Sequence, residues 1–273
     1  MKFDLHIHTI YSDGQAAPKD VIEKSKILNI GTSITDHNHV KGAIIASEIA
    51  INENLPFIIG CELGTREGKE LLIYFKNQEL AELFYKKEIE PFRTNRMTRI
   101  DRSMHEFLIK GIRDEYDIFF TTLPHPFGPL YKNVFWDLRL SAKLINFADS
   151  IETINASMNK KANEKALFLG IKKKKILTAS TDAHLIKLIG KVTTEVNFDR
   201  KTTDISHNSY LDNFYTKILI MTQITKCNIY HSILKKGVSV VWLFWRERIR
   251  KTKEVSTKKR YFFKKVSYFS YKI

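Results

Sequence analysis

From the first residues onward, short runs of β-branched and apolar side chains alternate with stretches of helical periodicity. Residues 2–6, 30–35, 56–61, 70–75, 117–121, 150–155 and 176–180 read as strands, because each is a brief apolar run bounded by turn-forming or polar residues. Between them, residues 18–28 read as a helix with Pro18 in its first turn and Val21, Ile22, Ile27 and Leu28 supplying apolar positions. Residues 41–52 repeat the pattern with Ile44, Ile45, Ile49 and Ala50, and a further helix covers roughly residues 159–170. Such alternation predicts βαβ units and a mainly parallel sheet.

The alternation lapses over residues 77–115, which read as a long polar helical stretch. There Arg93, Arg96, Arg99 and Arg102 recur at spacing 3, as a basic stripe on one helical face would. Either the stripe is a solvated helix face, or the excursion leans over the sheet and meets an anionic substrate. Lys172 to Lys175 form an exposed loop ahead of a buried strand.

Polar residues fall at one kind of place. His6 and His8, Asp36 and His37, Glu62, His125, Asn155, and Asp182 with His184 all sit at or just past the C-terminal end of a strand candidate. In a closed β/α barrel that is the rim that carries active sites, so one rim would gather donors far apart in sequence. Imidazoles and carboxylates together suit Zn, Mn or Fe, whereas all-oxygen sites favour Mg or Ca. Clustered ions of this kind lower the pKa of bound water and neutralise phosphoryl oxygens, the two requirements for hydrolysing a phosphate ester at neutral pH. Taken singly, His6, His8 or His37 would be an ordinary structural histidine, Asp13-Gly14 an ordinary turn and Glu62 a surface acid. A non-metal account needs all of these readings to hold at once. His39, His105, His207 and His231 belong to no motif and are read as surface or packing residues.

Composition narrows the rest. With 273 residues, 43% of them hydrophobic, the chain can bury the core of one large α/β domain, with or without a tail. Cys61 and Cys227 form no framework, which makes a reducing cytoplasm the expected compartment. The opening residues lack the apolar stretch of a signal peptide, and no run approaches bilayer-spanning length. The net charge is +15, but 11 Lys and 4 Arg against Asp212, Glu247 and Glu254 place +12 of it in residues 206–273. Basicity therefore belongs to the C-terminal quarter, and the expected organisation is a domain over 1–205 followed by a basic, aromatic extension over 206–273. Within that extension 211–225 could be a helix. The apolar run 238–245, flanked by Lys235, Lys236, Arg246, Arg248 and Arg250, could pack on the core or rest on an anionic membrane surface. The mixture of Lys pairs with Tyr and Phe beyond it would also suit loose contact with nucleic acid.

The motifs Asp4-Leu5-His6-Ile7-His8-Thr9 with Tyr11-Ser12-Asp13-Gly14, Ile34-Thr35-Asp36-His37-Asn38, Gly60-Cys61-Glu62, Leu123-Pro124-His125-Pro126-Phe127 and Ser180-Thr181-Asp182-Ala183-His184 occur in this order. Together they resemble the PHP superfamily, named for its polymerase and histidinol phosphatase members. Residues 151–155 and 162–166 are also similar to the segment before the family's last motif. The resemblance covers roughly residues 1–200 and implies a distorted (β/α)7 TIM-like barrel with two or three divalent transition metals on its C-terminal rim. Carried over position by position, His6, His8, Glu62 and Asp182 would hold one ion, Glu62 and His125 a second, and Asp13, His37 and His184 a third. A metal-bridging hydroxide would attack phosphorus, so Asp13, His37, Glu62 and Asp182 would be catalytic through the ions they hold. Leu72 stands where many phosphatases of the family carry a further histidine, which leaves the second ion fewer protein ligands. Ser12, Asn38 and Arg66 lie beside ligands in sequence and are candidates for phosphate contact, Arg66 most of all because guanidinium binds phosphate in a bidentate fashion.

The expected protein is thus a cytoplasmic metal-dependent phosphoesterase acting on a phosphorylated small molecule or nucleotide. A nuclease of the same fold acting on oligonucleotide ends is one alternative. The other is a catalytically idle metal-binding barrel serving as a membrane-surface or nucleic-acid adaptor. Gly-rich phosphate loops, a Gly-x-Ser-x-Gly elbow and paired cysteines are all missing from the sequence.

Overall fold

A computed structural model describes residues 1–129 and 132–196, and the account below concerns these. The expectations placed on residues 206–273 lie outside them.

All seven anticipated strands form: β1 (Lys2–Ile7), β2 (Gly31–Ile34), β3 (Phe57–Gly64), β4 (Glu70–Phe75), β5 (Ile118–Leu123), β6 (Ser150–Asn155) and β7 (Ile176–Ser180). A two-residue β8 (Thr194–Glu195) adds an edge. The sheet runs β7-β6-β5-β4-β3-β2-β1-β8. Its ends nearly meet, because the backbone just past β7 pairs with β1. The His8 N–H donates to the Ala183 carbonyl at 2.9 Å and the Ala183 N–H to the His6 carbonyl at 3.2 Å. The result is a nearly closed, barrel-shaped sheet of eight strands, wrapped outside by α1 (Pro18–Leu28), α2 (Lys41–Asn52), α6 (Leu138–Phe147) and α7 (Lys160–Lys172).

The sheet is less parallel than the alternation suggests. β1–β2, β2–β3, β5–β6 and β6–β7 are parallel, but β4 runs antiparallel to both β3 and β5. Only residues 65–69 separate β3 from β4, far short of the dozen or so a parallel crossover needs. They close a hairpin in which the Gly68 N–H reaches the Thr65 carbonyl at 2.8 Å, with Gly68 at φ 72°, a conformation glycine adopts without penalty.

Two irregularities decide which way side chains point. Asp4 pairs with Thr32 but Ile7 with Ile34, so β1 carries one extra residue there. Glu152 pairs with Thr178 but Ile154 with Ala179, an extra residue in β6. A bulge reverses the inward-facing parity of its strand. In β1 the inward residues change from Phe3 and Leu5 to His6 and His8; in β6 they pass from Glu152 to Asn155. Phe3 and Leu5 pack with Leu72, Tyr74, Phe120 and Val196. Since β1 lies three strands from β4, this apolar cluster fills the barrel's interior rather than its outside. The larger core lies between strands and helices, where Val21 and Ile22 of α1 and Ala43, Ala46 and Ala50 of α2 are buried with Ile7, Ile34, Ile59 and Cys61. Burying a side chain such as Val21 fully is worth roughly 1.5–3 kcal/mol, which fixes the helices against the sheet.

The stretch 77–115 corrects the expectation of one long helix with an arginine stripe. It breaks into α3 (Gln78–Phe84), a π turn over Tyr85–Ile89, a 3-10 turn over Glu90–Phe92, an irregular run, then α4 (Met104–Ile109) and α5 (Ile112–Glu115). Pro91 cannot donate to a continuing helix, and Arg93 instead bridges Ile100 across a tight reversal. The four arginines share no face. Arg102 is buried against Glu88, while Arg93 is exposed and donates to the Tyr85 hydroxyl at 3.0 Å. The excursion does reach the rim, since the Ile100 N–H donates to the Gly64 carbonyl at 3.0 Å.

Candidate metal centre

The bulge in β1 aims both imidazoles of His6-x-His8 into the barrel mouth. His6 is fixed from behind: its Nδ1 lies 3.0 Å from Glu152 Oε1. Glu152 is itself held by the His125 N–H at 2.8 Å, by Asn155 Nδ2 at 2.9 Å and by the Ser180 hydroxyl. A carboxylate behind a histidine sets its tautomer and leaves the other nitrogen as a donor. That nitrogen, His6 Nε2, faces His8 Nε2 at 3.1 Å, and Glu62 Oε2 and Asp182 Oδ1 each at 3.5 Å. His8 Nε2 is 3.2 Å from Asp182 Oδ1 and 3.4 Å from Glu62 Oε2.

On the other side of His8 lies a second group. Asp13 Oδ1 stands 3.6 Å from His8 Nδ1, and its Oδ2 stands 3.6 Å from His37 Nε2 and 3.3 Å from His184 Nε2. The loop carrying Asp13 is pinned by Asp36, which accepts from the Thr9 N–H, the Thr9 hydroxyl and the Ser12 hydroxyl at 2.6–2.7 Å. The loop carrying Asp182 is pinned by Asp4, which accepts from the Thr181 N–H and hydroxyl and from the Gly190 N–H. Asp182 (φ 52°) and His125 (φ 28°) are both non-glycine residues in the left-handed region, a strain that surrounding structure must enforce.

Glu62 joins these groups. Its Oε2 lies 2.9 Å from His37 Nδ1, and its Oε1 lies 3.1 Å from His125 Nε2. β3 extends past the expected end to Gly64, so Glu62 sits within the strand, paired with Leu72 across the hairpin. Two residues before Leu72, on the same face, comes Glu70. Its Oε2 is 3.6 Å from His125 Nε2 and 3.1 Å from Lys132 Nζ.

All eight residues anticipated as ligands therefore converge. Four sets of donors lie within 4.8 Å of one another: His8, Asp13, His37 and His184; His6, Glu62 and His125; His6, His8 and Asp182; and His37, Glu62 and Glu70. Such sets are able to hold divalent metal ions. The fit goes beyond proximity. Eight buried side-chain N or O atoms among the described residues lack a partner in hydrogen-bonding geometry, and five belong to this cluster: Asp13 Oδ1, His125 Nδ1, the facing His37 Nδ1 and Glu62 Oε2, and Glu70 Oε2 beside Lys132. Unpartnered buried acceptors are costly unless a cation satisfies them.

Electrostatics follow the geometry. Against burial, which alone would raise it, the imidazoles of His184, His37 and His8 hold the Asp13 carboxyl well below its ordinary value. Burial likewise opposes the low values of Asp182 and Glu62, where His6 pulls on both carboxyls. Burial would lower His37 and His184, yet Glu62 and Asp13 raise the first to about 9, and Asp13 and Asp182 raise the second to about 9. His8 goes the other way, down to about 4, through burial and the neighbouring His184 and His37. His184, 37% exposed, marks the open side of an otherwise buried set.

The three candidates for phosphate contact are engaged elsewhere. Ser12 is fully buried and donates to Asp36. Asn38 spends its amide on the Met97 carbonyl and its carbonyl on the Gly64 N–H, tying excursion to rim. Arg66 is exposed, with Nε donating to Asp101 Oδ1 at 2.8 Å and Nη2 to the Asp101 carbonyl at 3.0 Å. These partners make all three braces in the structure. Conversely, Glu70, Glu152 and Lys132 escaped sequence reasoning. Glu152, a carboxylate inside an otherwise strand-like run, carried a visible signal.

Comparison with known proteins decides the family. The PHP domain model matches residues 4–262. This chain belongs to the PHP domain family. An uncharacterized protein of Methanocaldococcus jannaschii is 27% identical over 171 residues, covering 57% of this chain and 82% of the relative. Among solved structures, PsfC from Pseudomonas syringae superposes with a TM-score of 0.52 at 16% identity, covering 85% of this chain and 98% of that one. A lesion-specific endonuclease from Pyrococcus furiosus gives 0.52 at 18% identity over 74% of this chain and 53% of its own. A two-domain protein from Bacteroides vulgatus, containing a predicted PHP-like metal-dependent phosphoesterase, gives 0.51 at 14% identity over 68% and 53%. The PHP chain described here spans about half the length of the last two, and at these identities the likeness is one of fold.

Proposed function

We propose that this PHP domain hydrolyses a phosphate ester of a small molecule or nucleotide. In this reading His6, His8, Asp13, His37, Glu62, His125, Asp182 and His184 hold two or three divalent transition metals, Zn, Mn or Fe. The observation that carries the proposal is the concentration of buried imidazole and carboxylate donors in one cluster at the barrel mouth. Bound there, such ions would lower the pKa of water and neutralise phosphoryl oxygens. The chain's own part is to orient and exclude. Glu152 holds the His6 ring, Asp36 and Asp4 hold the two ligand loops, and the buried walls keep bulk water to the side of His184. The free, buried thiol of Cys61 fits a reducing, cytoplasmic setting.

Purified protein should carry Zn, Mn or Fe and cleave bis-p-nitrophenyl phosphate or its monoester until a chelator is added. Activity untouched by chelation would defeat the proposal. A second reading, a nuclease, is favoured by the fold shared with an endonuclease solved on a 27-mer duplex with an abasic lesion, at a TM-score of 0.52 and 16% identity. Parallel assays on a mononucleotide and a short oligonucleotide separate the two.

A further inference from the structure

One corner of the cluster already contains a positive charge. Glu70 enters the barrel mouth because the 65–69 hairpin turns β4 back along β3. Its side chain is 3% exposed, and its Oε2 faces a cation rather than a hydrogen-bond donor of the sheet. The cation that approaches it is Lys132, whose Nζ is 3.1 Å away on a side chain 25% exposed. His125 Nε2 lies 3.6 Å from the same Glu70 oxygen and 3.1 Å from Glu62 Oε1. Across from Glu62 stands Leu72, which offers no donor. Glu62 and His125 group with His6 as possible ion ligands, and Glu62 and Glu70 with His37, and a lysine reaches into the corner these two sets share.

We propose that Lys132 is the resident cation of this corner, standing in for one metal ion, and that it offers its ammonium to a phosphoryl oxygen of the substrate. The inference rests on the phosphoesterase reading above. An ammonium neutralises a neighbouring carboxylate and donates up to three hydrogen bonds, but it coordinates nothing. The corner so filled leaves two sets for ions, one around His6, His8, Glu62 and Asp182 and one around Asp13, His37 and His184. Its partial exposure lets Lys132 reach a ligand entering the mouth.

The test is metal content of the full-length protein, loaded with Zn or Mn and passed through gel filtration. Wild type should hold two equivalents. Lys132→Met should hold three, Lys132→Arg two, and Lys132→Met combined with Glu70→Gln two again. Lys132→Gln replaces the Met variant if the latter does not fold by circular dichroism. In the double variant, which has neither the ammonium nor the extra ion, inorganic phosphate should bind at least about tenfold more weakly than to wild type. Equal metal content in wild type and folded Lys132→Met or Lys132→Gln would overturn the stand-in role while leaving the phosphoesterase reading intact. Unchanged phosphate affinity in the double variant would overturn the substrate contact. Wild type that holds no metal would sink both readings together.

Discussion

The two halves of the barrel interior are built by the same strands and could hardly differ more. Toward the end of the barrel at which β1 begins, Phe3, Leu5, Tyr74 and Phe120 fill the interior with apolar side chains. Toward the mouth, His6, His8, Glu62, Glu70 and Glu152 fill it with donors, and the change happens within one residue of β1. Position along a strand explains the depth of a side chain but not its direction. The bulges in β1 and β6 supply that, at the cost of one ladder pairing each. A floor of packed side chains below the donors also gives them something rigid to stand on, which ion binding within a few tenths of an ångström requires.

Removing the donors shared between sets should have the largest effect. Glu62→Ala and Asp182→Ala each delete a carboxylate near several imidazoles, so hydrolysis of bis-p-nitrophenyl phosphate should fall on the order of 1000-fold or more. Metal content should drop with it while the circular dichroism spectrum stays. Full turnover in either variant would mean that the polar half is not the reacting half.

Next in size is the layer behind the ligands. Glu152→Gln keeps the shape but turns one of two accepting oxygens into a donor and removes the charge that fixes His6, and metal affinity should weaken by about 10–100-fold. Competition against a fluorescent zinc chelator reads this directly. An unchanged affinity would assign Glu152 to packing alone.

The polar half should also respond to pH in a way the apolar half cannot. His37 and His184 have folded-state values of about 9 against an ordinary 6.5, so their protons stabilise the metal-free protein fully below 6.5. That contribution disappears as pH rises through 9, so the melting temperature of chelated protein should fall over this window. Ions must displace the same protons, so metal affinity should rise across it, with protons released on binding at pH 7.5, those of His37 and His184 among them. Calorimetry in buffers of different ionisation enthalpy counts them.

Much of this contrast was legible beforehand, for physical reasons. The strands announced themselves as brief apolar runs, and the eight donors by residue type and place. What escaped depends on the third dimension. The direction of β4 follows from a five-residue connection too short for a crossover, a limit the alternating pattern masks. α6 went unseen between His125 and β6, although Asp137 caps it and Leu140 and Leu144 bury its inner face. The arginine spacing suggested one face of a long helix, which Pro91 interrupts and an irregular run replaces. Glu70 and Lys132 carry no motif and meet only because a hairpin and a later loop bring them together. Arg66 was chosen for its chemistry, but sequence could not reveal that Asp101 engages it.

The smallest effects separate packing from chemistry. Leu5→Ala empties a site that is 1% exposed in the apolar half and should cost about 2–5 kcal/mol in urea denaturation. Since His6 follows it directly in the chain, any loss of activity should track the loss of folded protein rather than exceed it; a folded but inactive Leu5→Ala would show that the floor positions the donors more tightly than its packing alone requires. Arg66→Ala tests the opposite end of the scale. Its ion pair with Asp101 joins two side chains that are 57% and 69% exposed, so stability should change by less than about 1 kcal/mol and kcat/KM by no more than about threefold. A tenfold or greater rise in KM with unchanged stability would return Arg66 to the substrate, and would mean that the Asp101 pairing opens when a phosphate enters the mouth.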